Sequence, residues 1–380
     1  FMTTNWLVHP GPGPKSYMTM TVSDTTPSVG IKGMPFKNGL AKVNFMIQIP
    51  CSLYRAKKPA SMILQYGHGL FGSRRESEDH YLQALADRYG WIIVATDWTG
   101  MAKYDVLSAL RMFMGRIDEF AAMPERTQQG FLNKALMIRL LRGHLAAHVD
   151  FQIPGKSQSF VSNTTQVNYY GNSQGSVVGG GYFGSSKELS RATLGVPGCP
   201  FALVLTRSKD FAPYHMFLKF QLFNQRDARI YISIIQQLWD PGESSGWMHS
   251  TRDNNWNGYP KKHVLLQAAI GDAQVSVVSG EFMARSFKCN TIHPQYAPVY
   301  GIPERVAPFS GNGFVEWKYG DVPPTPFVDT PPLRGDTHEC PRRERRGQDQ
   351  MRDFFMEKEV TQHCAGVCES KTCPRGNSDN

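Results

Sequence analysis

Tyr169-Tyr-Gly171-Asn-Ser173-Gln-Gly175-Ser places a serine between two glycines, the G-x-S-x-G spacing of a nucleophile elbow. Val167-Asn-Tyr-Tyr170 before it reads as a strand, and the small-residue run Val177-Val-Gly-Gly-Gly181 behind it reads as a helix start. The glycines have a physical role. A tight strand-to-helix turn brings neighbouring backbone so close that a side chain at either flanking position would collide. The turn lifts the serine hydroxyl above the sheet, at a helix N-terminus whose dipole and free N–H groups favour a developing anion. Gly-rich turns containing serine are common, so the weight of the pattern comes from the strand before it and the helix after it.

Outward from this turn, strands and helices alternate. Ser61-Met-Ile-Leu-Gln-Tyr66 is a short apolar strand running into Gly67-His-Gly-Leu-Phe-Gly-Ser73. A helical stretch over 76–88 follows, with Tyr81, Leu82, Leu85 and Ala86 on one face. Trp91-Ile-Ile-Val-Ala-Thr96 is a second buried-type strand, and a long helical region over 106–148 is broken near Pro124 and Gly130. Downstream, 191–197, 263–270 and 314–319 read as strands, the last being the final one. Such alternation predicts the α/β class, with a mostly parallel central sheet covered by helices on both faces. Residues 1–60, Gly/Pro-punctuated, read as antiparallel strands and turns. The divisions expected are a β-rich segment 1–60, a core 61–198, a helical cap 199–262, a core 263–345 and a C-terminal helix with a Cys-rich tail 346–380. The aromatic content of 199–262, Trp239 and Trp247 included, is what favours a cap over an ordinary crossover.

A serine nucleophile needs an oxyanion hole and a base held by an acid. Gly67-His-Gly-Leu70 supplies a turn whose N–H groups can face a reacting carbonyl, so Leu70 and Gln174 are the expected oxyanion donors. The acid should follow a later strand and the base a still later one. Asp272, after the strand 263–270, is the expected acid, with capping of the following helix as its alternative role. His338, between the final strand and the cysteine tail, is the expected base. Asp97 and Asp240 are weaker acids by chain order. His68 reads as a turn histidine rather than the base. With Phe71, Trp98 and Trp239 it is expected to contact substrate.

The chain has 380 residues, 41% hydrophobic and 19% charged, which argues against disorder. No apolar run approaches the ~18–20 residues a membrane span needs. A net charge of +9 could suggest nucleic acid, but the basic residues are scattered and no zinc-finger or RNP pattern is present. A basic surface fits solubility or attraction to anionic interfaces better. Seven cysteines include Cys364, Cys368 and Cys373 in a tail too poor in apolar residues to hold itself down. Disulfides are favoured there over zinc held by these residues with His363 or Cys340, because C-x2-C knuckles are lacking. The odd count predicts one leftover thiol, free or paired with something outside this chain. The start at Phe1 suggests a missing N-terminal segment, and the sequon Asn163-Thr-Thr165 is compatible with secretion.

The chain resembles a poorly characterised family, chiefly bacterial, assigned as secreted lipase- or esterase-like proteins of the α/β-hydrolase fold. The matching stretches include Tyr66-Gly-His-Gly-Leu-Phe-Gly-Ser73, Ala95-Thr-Asp-Trp-Thr-Gly-Met101, Gly171-Asn-Ser-Gln-Gly175, Leu238-Trp-Asp-Pro-Gly-Glu243, Ile270-Gly-Asp-Ala-Gln-Val275 and Thr337-His-Glu339. They run collinearly from about residue 60 to the end. The resemblance implies Ser173, Asp272 and His338 as a triad. It departs at Ala273, where the family's G-D-H-Q-V has a histidine.

Ester hydrolysis through a Ser-His-Asp triad is the expected function, with no metal or organic cofactor. The expected partners are a small-molecule or lipid ester and a lipid interface touched peripherally, with no nucleic acid. The expected location is extracellular. Two rivals stand beside it: a hydrolase-fold binding protein whose catalytic geometry has lapsed, and a peptidase or acyltransferase using the same triad.

Overall fold

The computed structural model describes residues 2–4, 37, 39–113, 115–222, 224–254, 256–322 and 335–374. Most of the N-terminal stretch expected as antiparallel strands therefore lies outside the described residues. What is described of it forms β1 (Met2–Thr4) paired antiparallel with β2 (Leu40–Lys42), followed by β3 (Phe45–Gln48).

The central sheet is built from β3, β4 (Met62–Gly67), β5 (Trp91–Thr96), β6 (Val167–Asn172), β7 (Arg191–Gly195), β8 (His263–Ala269), β9 (Asn290–His293), β10 (Glu304–Val306) and β11 (Gly313–Tyr319). Its order is β10-β9-β11-β8-β7-β6-β4-β5-β3, with β12 (Glu369–Ser370) added beside β11. Only β3 runs antiparallel to its neighbour in this sheet. This is the α/β-hydrolase architecture, and the loops carrying Leu70, Ser173 and Asp272 leave its carboxyl edge.

β4 and β5 are buried at every position because both faces of the sheet are covered. The pleat sends Met62, Leu64 and Tyr66 toward the helices His80–Tyr89 and Arg345–Met356. Ile63, Ile92 and Val94 go to the opposite layer with the helix Ala122–Arg142. Period-two alternation thus splits one apolar run between two cores.

Several boundaries differ from expectation. The helix expected over 76–88 is a 3₁₀ turn, Arg74–Glu78, then an α-helix, His80–Tyr89. Pro124 does not break the long helix, because it lies in the first turn of Ala122–Arg142, where a missing N–H leaves nothing unpaired. Gly130 does not break it either. A β-carbon there would lie 3.3 Å from the Thr99 backbone nitrogen, so the glycine permits close approach of the helix to the turn after β5. β9, β10 and β12 were not anticipated; they have four residues or fewer and little hydrophobic signal. The strand at 314–319 is accordingly not the last.

The helices Phe201–Leu205, Ala212–Leu222 and Gln225–Trp239 form the cap between β7 and β8. In the tail, Cys340 pairs with Cys373 and Cys364 with Cys368 as disulfides. Cys51, Cys199 and Cys289 stay free, so three thiols are left over rather than one. No helix among the described residues is long and apolar enough to cross a membrane.

Candidate active site

The elbow begins where β6 ends. Ser173 has φ 59° and ψ −127°, a conformation that side-chain-bearing residues rarely adopt, and the helix Gln174–Val177 starts immediately after it. The reason for glycine on either side is steric. A β-carbon on Gly171 would sit 2.1 Å from the Gly175 carbonyl oxygen, and one on Gly175 would sit 2.1 Å from that of Gly67. Asn172 is a buried structural residue whose amide reaches the Tyr81 hydroxyl at 3.3 Å.

Beyond β8 the chain turns at Gly271 (φ 86°) and presents Asp272, fully buried. Its Oδ1 accepts the backbone N–H groups of Gln274 and Val275, both at 2.8 Å. Its Oδ2 lies 2.8 Å from His338 Nδ1. The helix-capping role weighed for Asp272 is not seen, because the following helix begins at Val277; the carboxylate instead closes the turn before it and lies against His338. The loop carrying His338 is tied down by the Thr337 hydroxyl, which donates to the Ile270 carbonyl at 2.9 Å. With Nδ1–H directed at the carboxylate, Nε2 is left as the acceptor nitrogen.

Ser173 and His338 line a common cavity, and no hydrogen bond joins them among the described residues. The cavity has two arms that share Leu70, Ser173, Asp210 and Gln274. One, of about 370 Å³, is apolar, with Met101, Val177, Phe201, Val204, Phe211 and Trp239 in its wall. The other, about 820 Å³, is polar and is lined by Glu76, Asp79, His338, Glu339 and Arg342.

The turn after β4 is clamped from both sides. Glu76 accepts the Gly69 N–H at 2.8 Å and the Tyr66 hydroxyl at 2.6 Å. His68 Nε2 accepts the Trp98 N–H at 2.8 Å while Nδ1 faces the Gly69 carbonyl at 2.9 Å. Burial lowers the His68 pKa to about 4, so the ring is neutral and structural. Held this way, the Leu70 N–H has no acceptor among the described residues, and neither does that of Gln174.

The substrate contacts expected from sequence divide. Phe71 lines the polar arm and Trp239 the apolar arm. His68 and Trp98 line neither. Trp98 is fully buried beneath the turn, with Lys134 Nζ 4.1 Å from its ring centroid and Phe131 and Tyr182 against its edges. Trp98 follows β5 at its carboxyl end, and the long helix beneath absorbs the ring. Asp97 is engaged by Arg74 at 2.8 Å, and Asp240 by Gln236 and Ser245 within the cap, so neither serves His338.

Sequence reasoning missed Asp336, Asp210 and Glu76. Asp336 accepts the His338 N–H at 3.1 Å, the Ala273 N–H at 3.2 Å and the Gln274 side-chain amide at 3.0 Å, and it pairs with Lys209 of the cap. These bonds hold its pKa down to about 2 against the opposing effect of burial. The signal available was its position two residues before His338. Ala273 is buried, and its backbone serves this junction.

No family model matches the chain, and no curated protein does. Among solved structures it is similar to an acylaminoacyl peptidase from Pyrococcus horikoshii (12% identity, TM-score 0.45, covering 86% of this chain). It spans only 41% of that protein's length. It is also similar to a cold-adapted esterase from an Arctic intertidal metagenomic library (12% identity, TM-score 0.35, 72% of this chain and 80% of that one). An S-formylglutathione hydrolase from Agrobacterium tumefaciens matches at 10% identity and TM-score 0.34, over 72% of this chain and 82% of that one.

Proposed function

We propose that the chain is a serine hydrolase of carboxylic esters, with Ser173 as nucleophile, His338 as general base and Asp272 as the acid that orients it. The supporting observation is the buried His338–Asp272 pair facing the cavity that Ser173 lines.

In this reading Ser173 Oγ attacks the ester carbonyl as its proton passes to His338 Nε2. Asp272 keeps the proton on Nδ1 and stabilises the imidazolium. The developing oxyanion accepts from the N–H groups of Leu70 and Gln174, which have no other acceptor among the described residues. His338 returns the proton to the leaving alkoxide, and water cleaves the acyl-enzyme by the same path in reverse. The chemistry requires no metal or organic cofactor. The apolar arm suits an aliphatic or aromatic acyl or alcohol group, as the resemblance to lipase- and esterase-like proteins also implies. The two disulfides fit an oxidising, extracellular setting.

The test is hydrolysis of a p-nitrophenyl ester series, short to long acyl, by the chain beside its Ser173→Ala variant. Activity lost in the variant, and labelling of the native chain by a fluorophosphonate, are the expected results. Equal background rates and no labelling would favour the lapsed, ligand-binding alternative.

A further inference from the structure

The cap places one carboxylate where the proposed chemistry has least use for it. Asp210 lies in the 3₁₀ turn Lys209–Phe211 and borders both arms of the cavity together with Ser173. Its carboxylate makes no hydrogen bond or ion pair among the described residues. The neighbouring cations are engaged elsewhere, Lys209 with Asp336 and Arg342 with Glu339. Burial raises the Asp210 pKa, with His338 and Lys209 pulling it back.

A bare negative charge beside an ester site repels the oxyanion forming there and so works against the reaction. That penalty disappears when the bound substrate carries a positive charge. The rest of the polar arm has the same sign. Glu76, Asp79 and Glu339 face it with the single guanidinium of Arg342, in a chain whose net charge is +9. A negative pocket in a basic protein is a local feature that cannot be read from the overall charge.

We propose that Asp210 is a specificity residue selecting esters that carry an ammonium group next to the scissile bond. The inference rests on the ester-hydrolase reading above. The ammonium group would take the ion pair that Asp210 lacks among the described residues.

The test compares acetylthiocholine with its uncharged isostere, 3,3-dimethylbutyl thioacetate, on the native chain, Asp210→Asn and Asp210→Glu. The native chain is expected to favour the cationic ester at least tenfold in kcat/KM at low salt, and the preference should shrink as salt rises. Asp210→Asn should bring the ratio near one, and Asp210→Glu should restore part of it. A native ratio near one overturns the proposal. An equal fall for both esters in Asp210→Asn also overturns it, since the carboxylate would then be serving His338. No turnover of either ester while Ser173 still reacts with a fluorophosphonate overturns the selection and leaves the hydrolase reading standing. No labelling removes both.

Discussion

The carbonyl oxygen of Gly67 occupies the space that a β-carbon on Gly175 would need, with 2.1 Å between the two positions. The turn after β4 and the turn after β6 are therefore fitted against each other backbone to backbone. In the proposed mechanism this close approach is what lets the N–H groups of Leu70 and Gln174 serve one oxyanion.

Gly175→Ala should force the turns apart. The expected result is loss of one oxyanion donor, about 3–4 kcal/mol of barrier or roughly 10²–10³ in kcat. Overpacking adds about 1–3 kcal/mol of destabilisation. Esterase kinetics and thermal unfolding measure the two effects separately. An unchanged kcat would mean that the Gly67–Leu70 turn does not take part.

Asp272→Asn keeps an Oδ1 able to accept from Gln274 and Val275, so the loop should hold its shape. Its amide, however, would place N–H groups against the Nδ1–H of His338. The proton would then move to Nε2, the nitrogen that must accept from Ser173. A loss of about 10⁴ in kcat is expected, with circular dichroism unchanged. A loss below tenfold would remove Asp272 from the mechanism.

Lys134 is fully buried under the same turns, donating to the Thr96 carbonyl at 3.0 Å and the Tyr66 carbonyl at 3.3 Å. Burial lowers its pKa to about 7, with Asp97 opposing. Unfolded, it titrates near ~10.4. Between these values the unfolded chain holds a proton that the folded chain has released, so stability should rise with pH from about 7 to ~10, by on the order of a few kcal/mol. Lys262, lowered to about 7 by burial, has the same sign. Lys134→Met should therefore reduce the slope of Tm against pH in this window without abolishing it. A slope equal to that of the native chain would refute the assignment.

Cys340 and Cys373 close a loop with a sequence separation of 33, whereas Cys364 and Cys368 are separated by 4. Cross-linking the longer loop constrains the unfolded chain more. Cys340→Ser should cost about 3–4 kcal/mol and Cys364→Ser less. Denaturant melts check the order. Intact mass of the native chain should be about four hydrogens below the fully reduced value, a deficit of two for each bridge.

The sequence by itself determined the strand–helix alternation, the tight turn at Ser173 and the chain positions at which Asp272 and His338 follow later strands. Each of these is written in local pattern: a period of two or 3.6, and glycines at fixed offsets from Ser173. The same locality explains what it could not supply. β9 and β10 are short and weakly apolar; β9 exists because β11 gives it an edge to pair with, and β10 because β9 does. Trp98 carries the same kind of local signal as Phe71, yet one is packed over Lys134 in the core and the other lines the cavity. Asp336 was legible only as an acid near His338. Its junction with Ala273, Gln274 and Lys209 joins segments more than sixty residues apart. Asp210, like Asp79 in the same arm, has a carboxylate with no partner among the described residues, but Asp210 also borders the apolar arm beside Ser173. Pairing, burial and vacancy are relations among distant segments, and a carboxylate's environment comes into being only when those segments pack.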